Sequence, residues 1–198
     1  MEYRYHLYPN KLNSLLKDTV QKLDEEKCDW EQILLGYGLC SNGVDGLVSQ
    51  RSRIVMPKVD DCIALFLGSS ECFREEQRKE PGTYYLTKGW IECKADSLAV
   101  MNRQHEWTED LDPETAEWFA RDLVKNYSRL VLVDTGSYDI TPFAGHAEEV
   151  ARVFGQRFEI ISGSIAYLET LLNGPWDSRF IVVEAREPIT KDMFAGNF

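Results

Sequence analysis

Basic side chains are scarce in this chain: 22 Lys and Arg stand against 33 Asp and Glu, a formal net charge of -11. Gripping a nucleic-acid backbone requires clustered cations that displace counterions, so this balance argues against nucleic acid as a partner. The cations that are present stand singly among acids, as in Arg74-Glu75-Glu76-Gln77-Arg78-Lys79-Glu80, the composition of a solvated helix face. Long apolar runs are missing too. No stretch approaches the roughly 18 residues that span a bilayer, and Met1-Glu2-Tyr3-Arg4-Tyr5-His6 has no signal-peptide core. The expectation is a cytoplasmic protein with no membrane segment.

The standard chemical signatures are absent as well. The five cysteines, at 28, 40, 62, 72 and 93, form no CxxC pair, and an odd count without an export signal argues for thiols over a disulfide framework. No GxSxG elbow anchors a hydrolase triad, and no GKS or GKT marks a P-loop. The dinucleotide fingerprint fails where Ser41 stands in place of its third glycine. With only three histidines, general bases are few.

What remains is an ordinary globular composition, 43% hydrophobic and 12% aromatic, in which short β-branched and aromatic runs alternate with segments of helical period. That alternation predicts an α/β fold with a mostly parallel sheet covered by helices. Strands are expected over 3–8, 33–35, 53–56, 82–86, 130–133, 158–161 and 180–183. Helices are expected over 11–23, about 63–73, 114–125, 147–154 and 165–172, with Asp112-Pro113-Glu114 as a capped start of the helix over 114–125 and Trp118, Phe119 and Leu123 as its buried side. Matching 12–23 with 114–125, and 83–86 with 180–183, needs a shift of about a hundred residues, as an internal repeat would. The organisation read from this is two Rossmann-like βαβ halves, 1–93 and 111–198, joined by a polar connector over 94–110, with a cleft between the lobes.

In a parallel sheet, loops at the carboxyl ends of strands receive ligands. Two loops qualify. Gly36-Tyr37-Gly38-Leu39-Cys40-Ser41-Asn42-Gly43 follows the strand at 33–35, and Asp134-Thr135-Gly136-Ser137-Tyr138-Asp139 follows 130–133. Gly36, Tyr37, Gly38, Ser41, Asn42, Gly43, Asp134, Thr135, Gly136 and Tyr138 are therefore the candidate cofactor-binding residues. The glycines either let backbone amides approach an anion or serve a tight turn. Cys40 lies in the first loop and Cys62 after the next strand, at a helix start that favours the thiolate. Two such sulfurs, with His6, Asp60, Asp61 or His146 completing the shell, would suit zinc, iron or the metal of a metallocofactor. Cys62 alone would suit a nucleophile. Either cysteine is equally compatible with plain packing, the commoner fate of a small buried thiol.

Five stretches, LLGYGLCSNG (34–43), VMPKVDDCIALFLGS (55–69), PGTYYLTKGWIE (81–92), LVDTGSY (132–138) and LNGPWD (172–177), resemble the domain of unknown function family 1638 of archaea and bacteria. The resemblance implies a stand-alone domain in the setting of corrinoid-dependent methyltransferases, with a corrinoid protein or methyltransferase as partner, and brings no established reaction. It also implies a cysteine near the end of the first strand, one in the GYGLC loop and one in a His-Asp-Cys triplet. Here the last two are Cys40 and Cys62, the triplet reads Asp60-Asp61-Cys62, and the first-strand region offers His6 in place of a thiol. Two outcomes follow from that departure: His6 and Asp60 substitute at a metal, or the protein is a binding module of a methyltransferase system.

Overall fold

The computed structural model describes residues 9–26, 28–105 and 108–195. The expected first strand over 3–8, with His6, lies outside the described residues. Those described form a mixed α/β fold in two compact units, one of residues 71–164 and one of residues up to 70 together with those from 165 onward. No helix among them is long and apolar enough to cross a membrane.

The discontinuous unit opens with helix α1 (Pro9–Glu25), where Leu12, Leu16 and Val20, spaced four apart, make one buried stripe. Burial of each such side chain is worth about 2 kcal/mol. The stripe packs on a three-stranded sheet of β1 (Gln32–Leu34), β2 (Arg53–Pro57) and β6 (Phe180–Val183), in the order β1-β2-β6. β1 runs parallel to β2, while β6 runs antiparallel to it. Ile54 and Met56 join α1 in one core with Ile33, Leu35, Ile181, Val183 and Cys40, and Cys62 packs against the same cluster. Helix α8 (Ala166–Asn173) lies against β2, its Tyr167 ring meeting Phe180.

After β2 the expected single helix over 63–73 divides into α2 (Ile63–Leu67) and α3 (Ser70–Lys79). Gly68, at φ 87°, ends the first in the left-handed conformation that a helix cannot continue.

The continuous unit is a parallel sheet, β3 (Thr83–Leu86), β4 (Arg129–Asp134) and β5 (Arg157–Ser162), in the order β3-β4-β5. Between its first two strands stand α4 (Lys88–Glu92), α5 (Ser97–Met101) and α6 (Pro113–Val124), and between the last two α7 (Thr141–Phe154). The stretch read as a polar connector thus holds α5, whose Leu98, Ala99 and Val100 are buried. Asp112 caps α6 as expected, accepting the amide of Thr115. The buried side of α6 differs from the sequence reading. Ala116, Ala120 and Val124 face inward, letting α6 pack closely on α5, while Trp118 is 62% exposed and Phe119 and Leu123 are also exposed. The segments paired by the repeat reading, 83–86 and 180–183, have different settings, one parallel and the other antiparallel to its neighbour.

Candidate functional site

The site at Cys40 begins with strand pairing. Because β1 and β2 are parallel neighbours, the chain leaves both at the same end, and the Leu35 amide still bonds to the Val55 carbonyl at 2.9 Å. Beyond the sheet the two segments run side by side, with the amide of Leu39 donating to Val59 at 2.8 Å and that of Cys40 to Asp60 at 3.1 Å. Gly38 makes this approach possible. A Cβ there would stand 2.9 Å from the Val59 carbonyl oxygen, closer than real Cβ contacts come. The loop then turns back on itself through Cys40, Ser41 and Asn42, at φ 46°, 56° and 69°, a left-handed run that costs non-glycine residues roughly 1 kcal/mol each. Gly43, whose hypothetical Cβ would strike Leu12 at 2.6 Å, seats the turn on α1.

These constraints bring the Sγ atoms of Cys40 and Cys62 to 3.0 Å, with the amide of Gly38 donating to Cys62 Sγ at 3.3 Å. Cys40 is buried at 5% exposure and Cys62 is half-buried. The pair is electrostatically unequal. The sulfur–sulfur hydrogen bond with Cys40, in which either thiol can donate, and after it the Gly38 amide hold the Cys62 thiol below the usual thiol range despite its burial. Cys40 is driven far up by that same hydrogen bond and by burial. The two thiols titrate as a pair, and of the two Cys62 is the one whose ionisation is favoured. The sequence attributed Cys62 reactivity to a helix start. In the structure its stabilisers are a neighbouring thiol and a loop amide, and α2 contributes little because it is barely more than one turn.

Asp60 and Asp61 flank this pair in the chain. Asp61 accepts the amide of Ile63 at 2.8 Å, while Asp60 Oδ1 is buried without a hydrogen-bond partner among the described residues. Burial, and then the neighbouring Asp61 charge, raise the Asp60 pKa above the usual carboxylate range. No three His, Cys, Asp or Glu side chains among the described residues converge to hold a metal ion. His6 lies outside those residues. Gly36, Ser41 and Asn42 are exposed and Tyr37 is half-buried.

The other proposed loop, 134–138, belongs to the 71–164 unit. Its polar groups are largely satisfied within it. Asp134 Oδ1 accepts the Gly136 amide at 2.9 Å, Thr135 and Ser137 share a hydroxyl hydrogen bond at 2.7 Å, and Tyr138 donates to the Val133 carbonyl at 3.0 Å. Lys88 lies 5.4 Å from the Tyr138 ring centre, a cation–π distance.

Sequence reasoning missed a half-buried pair in that unit. Asp96, 1% exposed at its side chain, caps α5 through the amides of Leu98 and Ala99 and meets His146 Nε2 at 3.0 Å. His146 is therefore engaged by Asp96 in this unit. Fifty residues separate the partners, so no spacing advertises them.

Among the described residues, then, the chain is an α/β protein whose most distinctive feature is a contacting cysteine pair at the strand ends of one sheet. Over residues 1–172 the chain matches the family described as Protein of unknown function (DUF1638), and it belongs to that family. No curated protein and no solved structure matches it.

Proposed function

We propose that this protein binds a thiophilic metal, zinc or iron, or the metal of a metallocofactor, through Cys40 and Cys62. The observation that carries the reading is the contact of two sulfurs from separate loops, braced by backbone hydrogen bonds on either side. The unpaired Asp60 oxygen adds support, since a buried carboxylate oxygen without a donor is suited to a cation. Two thiolates leave open positions on zinc or iron, to be filled by His6, by Asp60 after a side-chain rotation, or by the cofactor's own ligands. Metal binding would release the proton held on Cys40. In this reading the exposed Ser41 and Asn42 and the glycines at 36, 38 and 43 border the bound group.

We further propose corrinoid-linked methyl transfer as the setting, with a corrinoid protein or methyltransferase as partner, on the ground of the family resemblance alone. The net charge of -11 suits recognition by a basic surface. Metal analysis of protein purified without air, alongside Cys40→Ser and Cys62→Ser, tests the core of the proposal. Near-stoichiometric metal that drops at least about tenfold in both variants is expected. Equal metal in all three, or none in any, overturns it.

A further inference from the structure

The same two sulfurs support an activity that needs no metal. We propose that Cys40 and Cys62 form a dithiol that exchanges with disulfides, Cys62 attacking and Cys40 resolving, because their sulfurs touch at 3.0 Å while Cys40 is buried and Cys62 is the more exposed of the two.

Three features of the geometry carry this. First, the contact does not depend on side-chain rotamers alone, since the bonds from Leu39 to Val59 and from Cys40 to Asp60 hold the two segments together up to the cysteines. Forming the S–S bond requires the sulfurs to close by about 1 Å, within the reach of side-chain torsions. Second, exposure separates the roles. Cys40 is packed among Leu12, Val44 and Leu47 and cannot meet a disulfide in solution, yet it already lies against the sulfur of the more exposed residue. Third, the Gly38 amide points at Cys62 Sγ and would support negative charge on that atom whenever it acts as nucleophile or leaving group.

The exchange balances with a disulfide as the oxidant. The Cys62 thiolate attacks one sulfur of R–S–S–R, the S–S bond breaks, and the departing RS⁻ takes up the proton that Cys62 had released, leaving Cys62–S–S–R. Cys40 then loses its proton and attacks Cys62 Sγ. The second RS⁻ leaves and accepts that proton. Two protein thiols are oxidised to one disulfide, and one external disulfide is reduced to two thiols. The substrate class is a small or protruding disulfide, because Cys62, the more exposed of the two, is itself partly buried. This inference does not rest on metal binding, and metal and disulfide exclude one another at these sulfurs.

The test uses the full chain, treated with chelator and then incubated with oxidised glutathione. After acid quenching, the remaining thiols are alkylated in denaturant and the peptides are mapped. A peptide joining Cys40 to Cys62 is expected as the main product at these positions, with release of reduced glutathione. In Cys40→Ser, glutathione should accumulate on Cys62 several-fold above wild type, because the resolving thiol is gone. Recovery of both cysteines as free thiols, or of each as a separate glutathione adduct, overturns the proposal in the wild-type chain without any variant. A protein that forms the joined peptide but holds no metal would fail the previous proposal alone, and one that holds metal but never forms the peptide would fail this one alone.

Discussion

The amide of Gly38 donates to the sulfur of Cys62 across 3.3 Å, from a backbone position with no room for a side chain. Gly38→Ala places a Cβ against the carbonyl oxygen and Cγ2 of Val59, at 2.9 and 3.1 Å, so the loop must move away. The expected cost is about 1–3 kcal/mol in urea unfolding. The more specific consequence concerns Cys62. Its pKa is held down first by the Cys40 thiol and then by the Gly38 amide, and displacement of the loop weakens both. In wild type, alkylation of Cys62 should reach half its maximum rate at a pH below that of an ordinary thiol, while Cys40 stays unlabelled. In Gly38→Ala the Cys62 profile should move to higher pH. An unchanged profile would mean that neither donor sets the reactivity.

Asp60 carries a testable electrostatic cost. Its pKa in the folded chain is raised by burial and by Asp61, so between the unfolded and folded values the native protein holds an extra proton. Stability therefore falls as pH rises through that window, just above the usual carboxylate range. Asp60→Asn, which carries no charge to bury, should gain on wild type across the same window and keep a lead of about 1 kcal/mol at neutral pH, a modest figure because Asp60 is only half-buried. Thermal melts of both proteins from acid to neutral pH measure the lead. If Asp60 supplies a metal ligand, Asp60→Asn should also lower the metal content.

Arg129 provides a contrast, because its charge is buried with partners. At 7% side-chain exposure it bonds Glu159 at 2.6 Å and Glu76 at 3.0 Å across the amino ends of β3, β4 and β5. Glu76 is held below the usual carboxylate range by Lys79 first and Arg129 after it. Arg129→Met leaves two carboxylates facing an apolar side chain and should cost about 3 kcal/mol at neutral pH. A depressed carboxylate pKa contributes stability that disappears as pH falls through the folded value. The gap between Arg129→Met and wild type should accordingly narrow in acid, and a gap independent of pH would assign the loss to packing.

The parts of this fold legible in the sequence are those governed by local chemistry. The strands at 53–56, 130–133 and 180–183 are nearly as expected because each is an apolar, β-branched run between polar or turn residues, and Asp112-Pro113 starts α6 where capping chemistry requires. The break at Gly68 was hidden because apolar residues return at Cys72 and Phe73 beyond the Ser69-Ser70 pair, and the start of α7 at Thr141, six residues early, by Pro142 and Gly145, which read as turn residues. The antiparallel setting of β6 and the pairing of Asp96 with His146 depend on long-range packing and leave no period to read. At the candidate site, the loops and their cysteines were visible. The source of the Cys62 shift was not, because a thiol 22 residues away supplies it.

Helix α6 shows the same limit on its two faces and yields the last prediction. Trp118, Phe119 and Leu123 are the large apolar residues that a period-based reading turns inward, yet the interior is taken by Ala116, Ala120 and Val124 because the closeness of α5 leaves space only for small side chains. Size, not hydrophobicity, selects the buried face. Trp118→Gln should then change stability by no more than about 0.5 kcal/mol, since its ring is largely in water and its edge contact is with the exposed Phe119. Ala120→Leu adds volume at a position with 0% exposure and should cost about 1–3 kcal/mol through overpacking against α5. Urea unfolding of the two variants ranks them directly. A large loss for Trp118→Gln together with a neutral Ala120→Leu would reverse the face assigned to this helix.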